Sequence, residues 1–220
     1  MTADPLARSL VLVTDYRVPD PARVWPVLQR SREAMAHLGA HRVLVYTSTV
    51  DPGRVLAVMA LHAEQPVVDI LRDEAFMAWF DAVGVSDIPA VFAGELVERI
   101  DLADHDPTQP PAVVVAAVAE VADTRALRAH VHATEEHFVA AGIRKVLIFQ
   151  AFDNPGEVFM LQEATEETGA GRWIDEPAFA SDWITRAGVG IYPPVFVGRL
   201  AHLMRIDDEP EPEPAGEPAS

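Results

Sequence analysis

Apolar residues occur along the chain in short runs, separated by turn residues and by stretches with helical spacing. In the first half these runs are rich in β-branched residues, so they predict strands, over 9–14, 41–49, 54–61 and 91–101. A helix is predicted over 20–38, between the N-cap pair Asp20-Pro21 and the C-cap glycine Gly39, and a second helix over 66–82. The resulting order is β-α-β-β-α-β.

The second half repeats this order, and part of the sequence repeats with it. Residues 20–53 align without a gap on residues 123–156, which lie 103 positions later. The predicted strands cover 112–122, 144–152, 157–164 and 195–206, and the predicted helices cover 124–141 and 173–187. A unit of about one hundred residues is too long for a solenoid repeat. The pattern therefore predicts two fused copies of one domain, over 1–103 and 112–206, joined by a linker over 104–111.

Several predicted strands are apolar on both faces, as in the runs LVLV, VVVAAV and KVLIF. Alternation of apolar and polar residues would indicate a sheet with one face in water, whereas these runs require that both faces are covered. Helices of a β-α-β-β-α-β unit cover one face only. We therefore expect an α+β fold in which two ferredoxin-like repeats pack as an intramolecular pseudo-dimer, with their sheets together and their helices outside.

Charge and composition narrow the class of protein. The formal net charge is −17, so a nucleic-acid surface or contact with an anionic membrane is not expected. No cysteine is present, which excludes disulfides and thiolate chemistry. The N-terminus lacks the apolar segment of a signal peptide, and the expected location is the cytoplasm. The acidic, proline-rich stretch 207–220 is predicted to be a disordered tail.

The duplicated β-α-β-β-α-β order, with pairing through open sheet faces over residues 8–206, resembles the dimeric α+β barrel superfamily, which includes the antibiotic-biosynthesis monooxygenase-like proteins. This chain resembles a tandem-fused form. The resemblance implies a ligand site in the barrel or in a cleft between a sheet and its helices. Members of this superfamily include cofactor-independent oxygenases, isomerases, haem proteins and proteins without known activity, so the resemblance implies a function of one of these kinds.

Four residues are candidates for catalysis. His62 ends a predicted strand and is a potential general base, although a solvated strand end is the alternative. Glu163 lies near the corresponding place in the second half, where burial would make it a base. Tyr46 offers a hydroxyl where the other half has Phe149. His202 is expected to share a strand face with Gly198, which permits close approach of a ligand.

The predicted function is that of a small apolar-ligand protein. It would act on an aromatic, quinone-like or polyketide-like substrate without a cofactor, as a monooxygenase or isomerase. The alternative from another class is a non-enzymatic scaffold that binds a ligand or partner, and self-association through edge strands remains open. Haem binding is a weaker alternative, because the comparable haem-degrading proteins carry the ligand histidine on the second helix, which here has none. No metal site is predicted, since the three histidines of the first helix in the second half, His130, His132 and His137, have no HxxxH or HExxH spacing.

Overall fold

The computed structural model describes residues 10–62, 67–72, 74–85, 88–103, 110–165, 188 and 195–206. The predicted helix over 173–187, the tail over 207–220 and most of the linker over 104–111 lie outside these residues. Strands of the first half are β1 Leu10–Arg17, β2 Ala40–Ser48, β3 Arg54–Leu61 and β4 Ala90–Asp101. Those of the second half are β5 Val113–Glu120, β6 Ile143–Ala151, β7 Glu157–Ala164 and β8 Phe196–Arg205.

Each predicted first helix is divided into two. In the first half a 3-10 turn leads into α1 Val24–Arg30 and α2 Arg32–His37, and in the second half α5 Thr124–Ala133 is followed by α6 Glu135–Ala140. The breaks fall at Ser31 and at Thr134, whose hydroxyl bonds back to the carbonyl of His130 at 2.8 Å. Such back-bonding competes with the helical ladder. The second helix of the first half is α3 Val67–Arg72 followed by α4 Glu74–Val83.

The eight strands close into an antiparallel barrel in the order β1-β3-β2-β8-β5-β7-β6-β4. Two seams join the halves, because β8 pairs with β2 and β4 pairs with β6. The expected α+β pseudo-dimer of ferredoxin-like units is confirmed. Each described strand has neighbours on both sides, so these strands offer no free edge, and self-association stays a prediction.

Apolar side chains pack in three layers. One cluster fills the barrel and includes Val13, Leu44, Phe149 and Phe159. Two others lie outside the sheet, beneath the helices of the first and of the second half. This arrangement explains why the strands are apolar on both faces. None of the helices in the described part combines the length and apolar character needed to cross a bilayer.

The last strand of each half crosses beneath the first helix of the other half. Glu98 on β4 forms an ion pair with Arg128 on α5, and His202 on β8 stacks on Trp25 of α1 with ring centroids 4.5 Å apart. Register shifts after Leu96 in β4 and opposite Tyr46 in β8 insert one extra residue into each strand. Beyond each shift the alternation of faces is reversed.

An arginine also joins the halves. The Arg54 guanidinium donates to both carboxylate oxygens of Asp15, at 2.9 and 2.6 Å. It donates at 3.1 Å to the backbone carbonyl of Val195 and lies 5.4 Å from the ring centre of Phe196. Arg54 is 9% exposed. Charge-assisted bonds to a carboxylate and a carbonyl together satisfy a group that is costly to bury alone.

Glycines at the two seams permit the barrel to close. A Cβ on Gly198 would lie 2.4 Å from the Phe196 ring and 2.6 Å from the carbonyl oxygen of Thr47 across the seam. A Cβ on Gly94 would lie 2.3 Å from the carbonyl oxygen of Gln150. The barrel-facing rings of Phe92 and Phe196 thus lie over glycine. A glycine in a strand permits another group to approach closely, and at both seams that group is the backbone of the paired strand together with an aromatic ring.

Substitution Gly198→Ala is expected to lower the free energy of unfolding by about 1–3 kcal/mol, because the Thr47 carbonyl cannot retreat without opening the seam. Gly156→Ala is the control, since its Cβ would meet the nearest atom at 3.2 Å. Urea unfolding of both variants measures the difference. Equal free energies for the two variants would contradict this account of the seam.

Candidate functional site

An apolar cleft lies between the outer face of the first-half sheet and the helices that cover it. Its floor is formed by strand residues of β1, β2 and β3, and its roof by α1, α2 and α4. The lining residues are Leu12, Thr14, Leu28, Ser31, Ala34, Met35, Leu38, Val43, Ala57, Met59, Phe76 and Trp79. The enclosed cavity volume is about 30 Å³. That space holds roughly two water molecules, so a larger ligand requires the helices to move off the sheet.

Few polar groups reach this cleft. Thr14 is buried and Ser31 is half-buried, and each presents a hydroxyl that can donate to or accept from a ligand. Tyr16 is 3% exposed, and the Trp79 indole lies near its hydroxyl without a well-aligned hydrogen bond. Burial raises the pKa of Tyr16 well above its ordinary value, which outweighs the opposing effect of Trp79. The phenol therefore stays protonated and can act only as a neutral donor or acceptor.

Side chains at equivalent positions of the second half are larger at some cleft positions and smaller at others, such as Val115 in place of Leu12. Ala57 on the cleft floor corresponds to Met160, and Met35 in its roof corresponds to Phe138, which is fully buried. Thr14 corresponds to Ala117. The second-half helix over 173–187 lies outside the described residues, so the comparison rests on these positions. They show no consistent difference in side-chain size between the two halves.

Two of the four predicted catalytic residues, Tyr46 and Glu163, face the interior of the barrel. Tyr46 is 0% exposed, and its hydroxyl has no hydrogen-bond partner among the described residues. Burial raises the pKa of Tyr46 well above its ordinary value, and the nearby charge of Glu163 raises it further. The sheet separates both residues from the cleft. Their catalytic role stays a prediction.

Glu163 is held by two basic residues. It is 3% exposed, and it forms ion pairs with Arg144 and with Lys145, whose Nζ lies 2.9 Å from Oε2. Lys145 is 4% exposed and is the only lysine of the chain. The attraction of two basic partners offsets the loss of hydration of this buried carboxylate. This arrangement fits an electrostatic role better than proton transfer.

The two histidines lie elsewhere. His62 is exposed at the end of β3, with its ring 4.6 Å from that of His41. His202 does not share a face with Gly198, as expected from alternation, because the bulge in β8 turns it outward beneath Trp25. Strand parity alone could not reveal this, since a bulge has no marker in this sequence. The structure therefore does not bring His62 or His202 together with Tyr46 and Glu163.

Sequence reasoning did not identify most of the cleft residues. Thr14, Ser31 and Ala57 carry no motif, and Trp79 is equally well explained as a core anchor. One signal was present in the repeat: Ala57 and Thr14 differ from their counterparts in size and polarity. Among the described residues, no group of three or more histidine or acidic side chains is arranged to hold a metal ion.

Comparisons with known proteins bear on the fold. No protein-family model matches the sequence, and no curated protein matches it. An anthrone oxidase-like protein superposes with a TM-score of 0.64 and 10% identity over 93% of this chain and 96% of its own. A monooxygenase-like protein from Fusobacterium nucleatum gives 0.55, with 10% identity over 90% and 95% of the two chains. One from Lactobacillus acidophilus gives 0.53, with 11% identity over 90% and 97%.

These identities are low, and the likeness establishes the fold alone. The chain has the fold of the dimeric α+β barrel proteins, the class that includes the antibiotic-biosynthesis monooxygenase-like proteins. One chain here supplies both halves of the barrel, as the sequence resemblance implied.

Substitution Tyr46→Phe is expected to raise the free energy of unfolding by about 1–2 kcal/mol, because it removes a buried hydroxyl that has no partner. The converse change, Phe149→Tyr in the other half, is the matched control and is expected to lower it. Denaturant unfolding of the two variants measures both effects. A loss of stability in Tyr46→Phe would show that the hydroxyl is bonded in solution.

The free energy of unfolding should depend on pH through His202. Burial lowers its pKa below the ordinary value of 6.5, so the unfolded chain binds this proton more readily than the folded protein. The free energy of unfolding should therefore fall as pH drops through about 6.5, and level off below the folded pKa. Substitution His202→Phe keeps an aromatic ring against Trp25 and removes this contribution. Between about pH 7.5 and pH 5.5 the native protein should lose more stability than the variant. If the free energies of unfolding of the native protein and of the variant changed in parallel with pH, the lowered pKa of His202 would be contradicted.

Proposed function

We propose that this protein binds a small, planar, aromatic ligand in the cleft of its first half and acts on it as a cofactor-independent monooxygenase or isomerase. The observation that carries this proposal is the apolar cleft with the hydroxyls of Thr14 and Ser31 on its wall. Apolar pockets with a few convergent polar groups are the usual form of small-ligand sites. Support also comes from the fold, which the anthrone oxidase-like protein shares.

The chemistry of such a ligand limits what the protein must supply. An anthrone or quinol is electron-rich once enolised, and it reduces dioxygen itself. For anthrone, one oxygen atom of O₂ becomes the new carbonyl oxygen and the other leaves as water, while the substrate loses two hydrogens. The cleft would desolvate the enol and orient its oxygen toward the hydroxyls of Thr14 and Ser31. An isomerase would use the same enol and return the proton to another carbon.

A second candidate is a non-enzymatic ligand-binding protein. It is favoured by one observation: none of the described lining residues is a carboxylate or a histidine, so the cleft presents no ordinary general base. Nor does the described lining contain a histidine to ligate haem, and haem binding is not proposed. The two candidates share the ligand site and differ in turnover.

Anthrone is the probe that tests the proposal. We expect it to quench the fluorescence of Trp79 on binding, and oxygen uptake with formation of anthraquinone to exceed the spontaneous rate. Binding without faster oxidation would support the non-enzymatic candidate. Absence of both effects would overturn the proposed function.

The cleft itself is tested by Ala57→Met, which places on its floor the side chain that the second half carries at Met160. Binding of anthrone should weaken by at least about tenfold, because the added side chain fills the enclosed space. Ala201→Met is the control, since Ala201 is exposed on β8. Equal binding by both variants would place the ligand elsewhere.

A further inference from the structure

Thr14 and Tyr16 place two hydroxyl groups on the outer face of β1. Leu12 and Thr14 line the apolar cleft, and Tyr16 follows two residues later on the same face, in the cluster beneath the first-half helices. At the equivalent positions of β5, which pairs with β7 as β1 does with β3, the residues are Ala117 and Ala119. This pair of hydroxyls is therefore confined to the half that contains the cleft.

The hydroxyl of Tyr16 is buried beside the cleft wall. Tyr16 is 3% exposed, and its ring meets that of Phe80 edge-on with centroids 5.8 Å apart. The indole of Trp79, which is part of the cleft wall, lies near the Tyr16 oxygen. Within the described part of the chain the hydroxyl has no well-aligned hydrogen bond. A buried hydroxyl without a partner is costly and uncommon.

The neighbours of Tyr16 leave its proton without an acceptor. An indole N–H is a donor only, so Trp79 cannot accept from the phenol. The ring packs against Phe80 through carbon atoms, which a phenylalanine would supply equally well. Burial raises the pKa of Tyr16 well above its ordinary value, and the proton therefore stays on the oxygen. The phenol is a donor that lacks an acceptor while the cleft is closed.

Entry of a ligand would bring this donor into the cleft. The enclosed volume of about 30 Å³ is too small for an aromatic molecule, so the helices of the roof, α4 among them, must move off the sheet. Trp79 and Phe80 move with α4. Tyr16 stays in place, because β1 is paired with β3 on one side and with β4 on the other. Its hydroxyl then lies on the cleft floor beyond Thr14.

The lining determines which kind of oxygen can accept from this phenol. None of the described lining residues is basic. A carboxylate would lose its hydration there without gaining a counter-charge, which is far more costly than dehydration of a neutral carbonyl. The carbonyl oxygen of a ketone has two lone pairs, so it can accept from both Tyr16 and Thr14.

We propose that Tyr16 is a specificity-determining residue of the cleft and that, with Thr14, it binds the carbonyl oxygen of an uncharged polycyclic aromatic ketone. This inference rests on the function proposed for the cleft and adds to it the substrate class and the residue that selects it. Aromatic carboxylates are excluded by the lack of a counter-charge. The ligand supplies the acceptor that the closed cleft lacks.

Tyr16→Phe removes the hydroxyl and keeps the ring. Binding is measured under argon by quenching of tryptophan fluorescence, with anthrone and with 9,10-dihydroanthracene, which has a methylene in place of the carbonyl. The variant should bind anthrone about fivefold more weakly, the loss expected for one neutral hydrogen bond. Its binding of dihydroanthracene should not change. A disturbance of packing would weaken the binding of both molecules, so the difference between them reports the hydrogen bond.

Urea unfolding without ligand separates a binding role from a structural one. Tyr16→Phe should raise the urea midpoint, because it removes a buried hydroxyl that has no partner among the described residues. The variant is thus expected to be more stable and to bind anthrone more weakly. A lowered midpoint would show that the hydroxyl stabilises the closed cleft, and its assignment to the ligand would be wrong.

Tyr46→Phe is the matched control, because this hydroxyl is also buried without a partner among the described residues but belongs to the inner face of the sheet. Its binding of both molecules should stay within about twofold of the native protein. Weaker binding of anthrone by this variant would place the ligand in the barrel and refute the role of Tyr16.

The substrate class is tested with 9-anthracenecarboxylate, which carries a charge on the same ring system. The native protein should bind it at least about tenfold more weakly than anthrone. Equal binding would refute selection for uncharged ketones. If the native protein bound neither anthrone nor dihydroanthracene, the proposed function would fail together with this inference. If it bound both and Tyr16→Phe weakened neither, only the role of Tyr16 would fail.

Discussion

Backbone pairing across two seams is the constraint on which the molecule depends. When β8 pairs with β2 and β4 with β6, the sheets of the two halves become one closed surface, and their inward faces become a single interior. The seams need glycine where Phe92 and Phe196 cross the strands, and they need a bulge in each last strand. Those bulges carry β4 and β8 beneath the helices of the opposite half, so neither half has a complete helix-covered sheet without the other.

Closure assigns different properties to the two faces of the sheet. The interior is packed with apolar side chains at its centre, and the ion pair of Lys145 with Glu163 is buried toward one end of the barrel. The outer face of the first half keeps a cleft, because Ala57 leaves space between the strands and the helices. The two faces of the sheet therefore differ: packed side chains fill the inner face, and the outer face of the first half carries the cleft.

Sequence reasoning succeeded where the signal was repeated or periodic. Strand positions agree within a few residues, since β-branched runs and Pro-Gly turns mark them on the chain. It failed for His202, which was assigned to the face of Gly198 because alternation was continued through a bulge. It also predicted each first helix as continuous, whereas both are divided, the second of them where the Thr134 hydroxyl bonds to the carbonyl of His130. Both errors arise from local hydrogen bonds that do not alter the hydrophobic period.

By itself the sequence determined the element order, the two-unit architecture and the need to cover both sheet faces, since these depend on the spacing of apolar residues. It also determined that the Tyr46 hydroxyl has no counterpart in the opposite half, where the position is Phe149. Only the tertiary structure decided which charges meet. Arg54 meets Asp15, and Arg128 meets Glu98, because the strands pair in a particular register and bulge at particular residues. Register is a property of two strands together, so neither strand encodes it alone.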